Sequence, residues 1–164
     1  MKIKIGDEML TQEQKAMNSE TWAHIHQVQQ YIAKCQLNLG RRALEHDQSK
    51  LVAPEVATFC EFTPKLKDCT YGSDEYKGFL EAMAPALKNH YQNNSHHPEH
   101  YGEEGINGMN LLDVLEMLCD WLAATKRHAD GDINKSFEIN QNRFGMSPQL
   151  VQIMKNTLQL LEVP

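Results

Sequence analysis

The chain has 164 residues, 41% of them hydrophobic and 23% charged, and a formal net charge of −6. That is the size and apolar content of one globular domain able to bury a core; the acidic balance, with no basic stripe, argues against a partner gripped through a long phosphate backbone. Cys35, Cys60, Cys69 and Cys119 form no C-x-x-C pair and no apolar run is long enough to span a bilayer, which together point to reduced thiols in a cytoplasmic protein without membrane contact.

Met1 to Ile5 alternates briefly and reads as a short strand or an extended arm, within an N-terminal arm over 1–17. Everything after it reads as helix. Asn18 or Ser19 can cap a first helix that runs to about Leu37, with a shorter one over 38–46. Pro54 suits the first position of a third helix ending near Lys67, and Ser73 caps a long fourth helix to about Asn93, with Gly78 and Pro85 as weak points or a kink. Residues 94–108, rich in Gly, Pro, Asn and His, form a loop of a length that is often functional. A helix over 110–129 is stopped by Asp130-Gly131-Asp132, a short helical piece covers 135–143, and Ser147-Pro148 opens a last helix to about Leu161. With no repeat or linker, the expectation is a single all-α domain over 1–164 with six to seven helices.

Helical phase separates candidate ligands from bystanders. On the first helix Ile25, Val28, Ile32, Cys35 and Leu39 share one arc, with His24 at its edge and His26 among Gln29, Gln30 and Trp22. On the fourth, His90 falls within the arc of Tyr76, Phe79, Leu80, Met83 and Leu87, where a buried imidazole needs a partner. It is either a satisfied core histidine or, with His96, His97 and His100 just after it, part of a metal or phosphate pocket. The helix over 110–129 is apolar except for a narrow stripe of Asp113, Glu116 and Asp120. Asp113 and Glu116 read as solvent-facing, whereas Asp120, deeper in the apolar segment, would be costly to bury unless paired or metal-bound.

A helical His24, the dipeptide His46-Asp47 about twenty residues later, and Asp120 on a late helix make a two-nitrogen, two-oxygen set suited to a divalent metal that activates water. This order and spacing resemble the HD-domain superfamily of metal-dependent phosphohydrolases over most of the chain. The strings His-Ile-x-x-Val, His-Asp-x-Ser-Lys-Leu, Tyr-Gly-Ser-Asp-Glu-Tyr-Lys, His-His-Pro-Glu-His-Tyr and Glu-Met-Leu-Cys-Asp-Trp resemble more closely a small, functionally uncharacterised family of bacterial and phage proteins. The chain departs from the nucleotidases of the superfamily in carrying Lys50 where they commonly have a glutamate, and from the cyclic-dinucleotide branch in lacking a Gly-Tyr-Pro element.

The resemblance implies an HD-like helical bundle holding one or two divalent ions (Mn, Fe, Co, Ni, Zn or Mg). His24, His46, Asp47 and Asp120 would hold the first, and His90 with His96 or His97 a second ion or the phosphate. Lys50, three residues after Asp47, would neutralise substrate phosphate, or else be an ordinary surface lysine. His97 or His100 would protonate the leaving oxygen. Lys126, Arg127 and His128 complement the helix C-terminus, with Arg127 as a rim contact to phosphate in the sharper reading. The expected substrate is a nucleotide or similar small phosphate ester, and a homo-oligomer is compatible with the sequence. Two alternatives are an HD-type di-iron oxygenase and a non-catalytic metal-containing module that senses nucleotides or binds a host factor.

Overall fold

The computed structural model describes residues 11–70, 73–127 and 131–161, and they form helices and turns with no strand among them. The alternation over Met1 to Ile5, and His128, lie outside the described residues. The chain forms two compact units, Met1–Gly40 and Arg41–Pro164.

Helix α1, Gln12–Glu45, starts earlier and ends later than its apolar periodicity predicts. Thr11 and Gln14 explain the start: Thr11 N donates to Gln14 Oε1 at 2.8 Å and Gln14 N to Thr11 Oγ1 at 3.1 Å, a capping box that satisfies two orphan donors. Residues 12–17, expected in the arm, are therefore helical. The expected boundary near Leu37 is also helical, because nothing from Leu37 to Gly40 stops the chain: a lone glycine inside a helix costs only about 1 kcal/mol relative to alanine. The part of α1 in the first unit has no buried side chain among its described residues.

The second unit takes the last turn of α1 and six further helices: α2 Val56–Asp68, α3 Asp74–Ala82, α4 Ala84–Asn93, α5 Leu111–Thr125, α6 Ile133–Phe144 and α7 Pro148–Leu161. The single helix expected over 73–93 is two, α3 and α4, which part at Met83. Pro85, in the first turn of α4, has no N–H to continue the ladder of α3, so the predicted weak point is a break. Ser73 does cap α3, accepting from Tyr76 N at 3.1 Å. The predicted loop 94–108 is irregular as far as His97 and then winds as 3-10 turns over Pro98–Gly108, interrupted where Gly102 and Gly105 take positive φ. Gly145, at φ 61°, ends α6 in the left-handed conformation that glycine adopts freely.

The core of this unit lies between α5, α6 and α7: Met117 and Leu118, Phe137, and Val151, Met154 and Leu158 are all buried, with Met146 from the connection. Trp121 extends it towards α6, edge-on to Phe137 and stacked on Phe144 at centroid distances of 6.2 and 6.4 Å. Packing on this side fixes the rotation of α5, so its acidic stripe is turned to the opposite face. No helix among the described residues is long and apolar enough to cross a membrane.

Candidate metal centre

Where α1 ends, Asp47 adopts the left-handed conformation (φ 58°, ψ 9°), which aspartate tolerates better than most residues, and the chain reverses into a 3-10 turn, Gln48–Leu51. The reversal places His46 and Asp47 side by side against α5. There His46 Nε2 lies 3.6 Å from Asp120 Oδ1 and 3.5 Å from Asp47 Oδ2. The last residues of α4 and the loop that follows deliver three more imidazoles. His90 Nε2 is 3.2 Å from Asp47 Oδ1 and 2.9 Å from His97 Nε2, and His96 Nε2 is 3.6 Å from Asp47 Oδ1. These atoms form overlapping groups in which potential ligand atoms lie within 4.8 Å of one another: Asp47, His90, His96 and His97; His46, Asp47 and Asp120; and His46, His96 and Glu116.

The far side of the imidazoles is as informative as the near side. Glu116 Oε1 accepts from Nδ1 of His46 at 2.9 Å and lies 3.2 Å from Nδ1 of His96. Glu55, fully buried, accepts from Nδ1 of His90 at 3.0 Å. An ionised carboxylate can only accept, so each Nδ1 carries the hydrogen and each Nε2 faces the cluster as the coordinating atom. Glu116 is held in turn by Arg42, whose Nη1 lies 2.8 Å from Glu116 Oε2 and 2.8 Å from Asp113 Oδ1. Asp113, with no exposed surface, also accepts from Ser95 Oγ and Tyr101 Oη at 2.7 Å and from Asn110 N at 2.9 Å.

The electrostatics follow from this crowding. The Asp120 carboxylate beside it is the main cause that raises His46 to about 9 against the effect of burial, with Glu116 and Asp47 adding to it. Burial pushes His97 down to about 3, helped by the neighbouring His96 and His90, and burial also lowers His96. Burial works to raise Asp47, yet His90 and the Lys50 ammonium outweigh it and hold the carboxyl far below its ordinary range. The same contest, decided by His46, keeps Asp120 low. The cluster thus mixes carboxylates held ionised with a protonated His46 and with His96 and His97 disfavoured as cations by burial. Asp47 Oδ1 and His96 Nε2 are both buried without a hydrogen bond, 3.6 Å apart, and a cation between them would satisfy both. Imidazole nitrogens with carboxylate oxygens, backed by carboxylates at Nδ1, form a donor set that could hold a divalent metal ion.

Of the residues singled out in the sequence, His46, Asp47, His90, His96, His97 and Asp120 are brought together. His24 is exposed on α1 and belongs to none of the ligand groups among the described residues. His100 is exposed and donates from Nδ1 to the Tyr91 carbonyl at 2.8 Å. Lys50 is paired with Asp47, Nζ to Oδ2 at 2.6 Å, so its charge bears first on a ligand. Glu116 and Asp113, expected to face solvent, are turned inward with Asp120. Glu116 precedes Asp120 by one helical turn and so shares its face, the one signal in the sequence that links it to the site; nothing around Glu55 or Arg42 announces their roles.

A cavity of about 630 Å³ opens over the cluster, with His90, His97 and Asp120 in its wall. Lys50, Lys67, Lys126, Arg127 and Arg143 contribute to its lining, along with Phe59, Tyr76, Trp121 and Phe144. Arg143 is engaged by Glu99 at 2.5 Å, and Lys50 stands over the Phe59 ring at 5.1 Å.

The chain belongs to a family of unknown function, DUF5662, whose pattern matches residues 13–160. No curated protein and no solved structure matches it.

Proposed function

We propose that this protein is a metal-dependent phosphohydrolase acting on a nucleotide or similar small phosphate ester. The observation that carries the reading is the orientation of His46, His90 and His96 by Glu116 and Glu55, with every Nε2 turned towards Asp47 and Asp120. Hydrogen bonding of this kind fixes the tautomer and raises the basicity of metal-binding imidazoles, and a core histidine needs no such convergence. A divalent ion held there would supply water of lowered pKa and a Lewis acid for a phosphoryl oxygen.

The protein's own part is to bind and screen charge. Lys67, Lys126 and Arg127 at the cavity offset the charge of an entering phosphate, and Tyr76 and Trp121 give a planar group an aromatic wall. Lys50, tied to Asp47, keeps that carboxylate ionised while remaining in the cavity lining. His97, held neutral by burial down to about 3, faces the cluster as a nitrogen donor rather than as the proton carrier expected of it. Hydrolysis of a phosphate ester by one water gives an alcohol and phosphate, so it needs no co-reactant.

The test is elemental analysis of the purified protein, followed by phosphate release from a panel of nucleotides with Mn, Fe, Co, Ni, Zn or Mg added. Metal bound at near-stoichiometric level with release from at least one ester is the expected result. Metal without release from any ester would overturn the hydrolase in favour of a sensing module, and iron with substrate-dependent oxygen uptake would favour the oxygenase.

A further inference from the structure

The metal cluster accounts for only part of the cavity wall. Asn140 of α6, which the proposed reaction does not use, lines that cavity and also a second one of about 250 Å³, and is itself only 3% exposed. Its side chain makes no hydrogen bond among the described residues. A carboxamide taken out of water without a partner is costly, and asparagine brings no helix propensity to offset it, so the partner is to be sought in the cavity.

The surroundings select the kind of partner. Phe137, Asn140 and Phe144 share one face of α6, and Trp121 of α5 packs edge-on to Phe137 and stacks on Phe144, which sets the indole beside the amide. Tyr76, Trp121, Ala124 and Asn140 line both cavities. Ser136, one turn before Asn140, and Ile139 line the second alone, and none of the candidate metal ligands reaches it. Aromatic walls around a single amide fit a planar ring with polar atoms on its edge; an acyl chain would leave the amide unpaired, and a bare sugar would find too few polar partners.

We propose that the second cavity holds the base of a nucleotide whose phosphate lies at the metal cluster, with Asn140 pairing to the base edge and Tyr76 and Trp121 against the ring. The proposal rests on the phosphohydrolase reading of the cluster and narrows its substrate from any small phosphate ester to a nucleotide. An asparagine amide offers a donor and an acceptor side by side, which matches the adjacent acceptor and donor on a base edge. Ala124 follows Asp120 by one helical turn, about 6 Å along α5, a gap that one pentose spans. Its small side chain leaves the passage between the two cavities open.

The probes are adenosine, guanosine, cytidine and uridine, with ribose as the control, titrated into the metal-loaded full chain and read by calorimetry. None of them carries a phosphate, so binding is measured without turnover. At least one nucleoside should bind about tenfold or more tightly than ribose. Asn140→Leu keeps the volume but not the amide and should weaken that nucleoside by about tenfold, with metal content and helical circular dichroism unchanged. Should Asn140→Leu fail to fold, Ala124→Met, at an exposed position, narrows the passage and should produce the same loss. No nucleoside bound more tightly than ribose, or affinity unchanged in the folded variant, would overturn the base site. Phosphate release from esters without nucleoside binding would overturn the base site alone, whereas nucleoside binding without release from any ester would uphold the base site and overturn the phosphohydrolase.

Discussion

Glu55 Oε2 lies 3.0 Å from His90 Nδ1, a carboxylate with no exposed surface against an imidazole that is 1% exposed. Ser49 Oγ donates to the same carboxylate oxygen at 3.0 Å, so the turn after Asp47 also bears on His90. Glu55→Gln keeps the shape but removes the charge that makes Nδ1 an obligate donor. Metal affinity, read by competition with a chromophoric chelator, should fall about 10–100-fold while the fold is retained. Unchanged affinity would reduce Glu55 to a filler of the interior.

Asp47 stands at the centre of the ligand groups, and its left-handed backbone limits what can replace it. Asparagine tolerates that conformation, so Asp47→Asn isolates the loss of charge and should abolish metal retention. Asp120→Asn should weaken it strongly, whereas His24→Ala should leave it intact. Full occupancy in Asp47→Asn, measured by elemental analysis, would remove the site; loss of metal in His24→Ala would restore the ligand set that the resemblance implies.

Because the folded value of His46, about 9, lies above its ordinary 6.5, the folded metal-free protein binds more protons than the unfolded chain between those values. Its contribution to stability is complete below about pH 6.5 and fades as pH rises towards 9. His97 acts in the opposite sense: held near 3, it favours the folded state above 6.5 and loses that contribution as pH falls towards 3. Urea unfolding of the chelated protein should therefore weaken on both sides of pH 6.5. Metal uptake at pH 7.5 should also release close to one proton, since His46 must be neutral to coordinate. Calorimetry in buffers of different ionisation enthalpy reads that proton directly, and none released would contradict the assignment of His46 as a ligand.

Arg42 joins Glu116 and Asp113, one nearly and the other wholly out of solvent. Arg42→Met would leave both carboxylates without their shared cation, at a cost of about 3 kcal/mol in folding stability. Denaturant titration measures it, and a loss under about 1 kcal/mol would show the pair to be an incidental contact. Glu116, freed to turn, should also lose its hold on His46 and His96, so metal affinity should fall with stability.

The helical class and the helix starts at Ser73 and Ser147 were legible because they rest on local chemistry: each caps the helix expected of it, and Asn110, read as the first residue of its helix, caps it. The extent of α1 was not, since the reading weighed apolar phase above the Thr11–Gln14 box and expected a break that no residue enforces. His46-Asp47, His90, His96 and Asp120 stood out by residue type, and their neighbours on the chain suffice to place them on the right elements. Glu55 and Arg42 act through contacts 35 and 74 residues distant in sequence, to His90 and Glu116, which periodicity cannot see. Asp113 and Glu116 were misread because an acidic stripe on an otherwise apolar helix has the same pattern whether it meets water or buried cations.

Asp113 touches the start of its own helix through Asn110, the histidine-bearing loop through Ser95 and Tyr101, and the end of α1 through Arg42. Since Ser95 and Tyr101 are pinned to one carboxylate, and Ile106 and Met109 pack on the core, the stretch from Gly102 to Gly105 between these anchors can vary in length without disturbing the spacing of His96 and His97 from α5. Gly102 and Gly105, at positive φ and with open space where a side chain would begin, lie in that stretch. A short reporter peptide spliced there would ride on the outside of the fold while the two ligating segments kept their register.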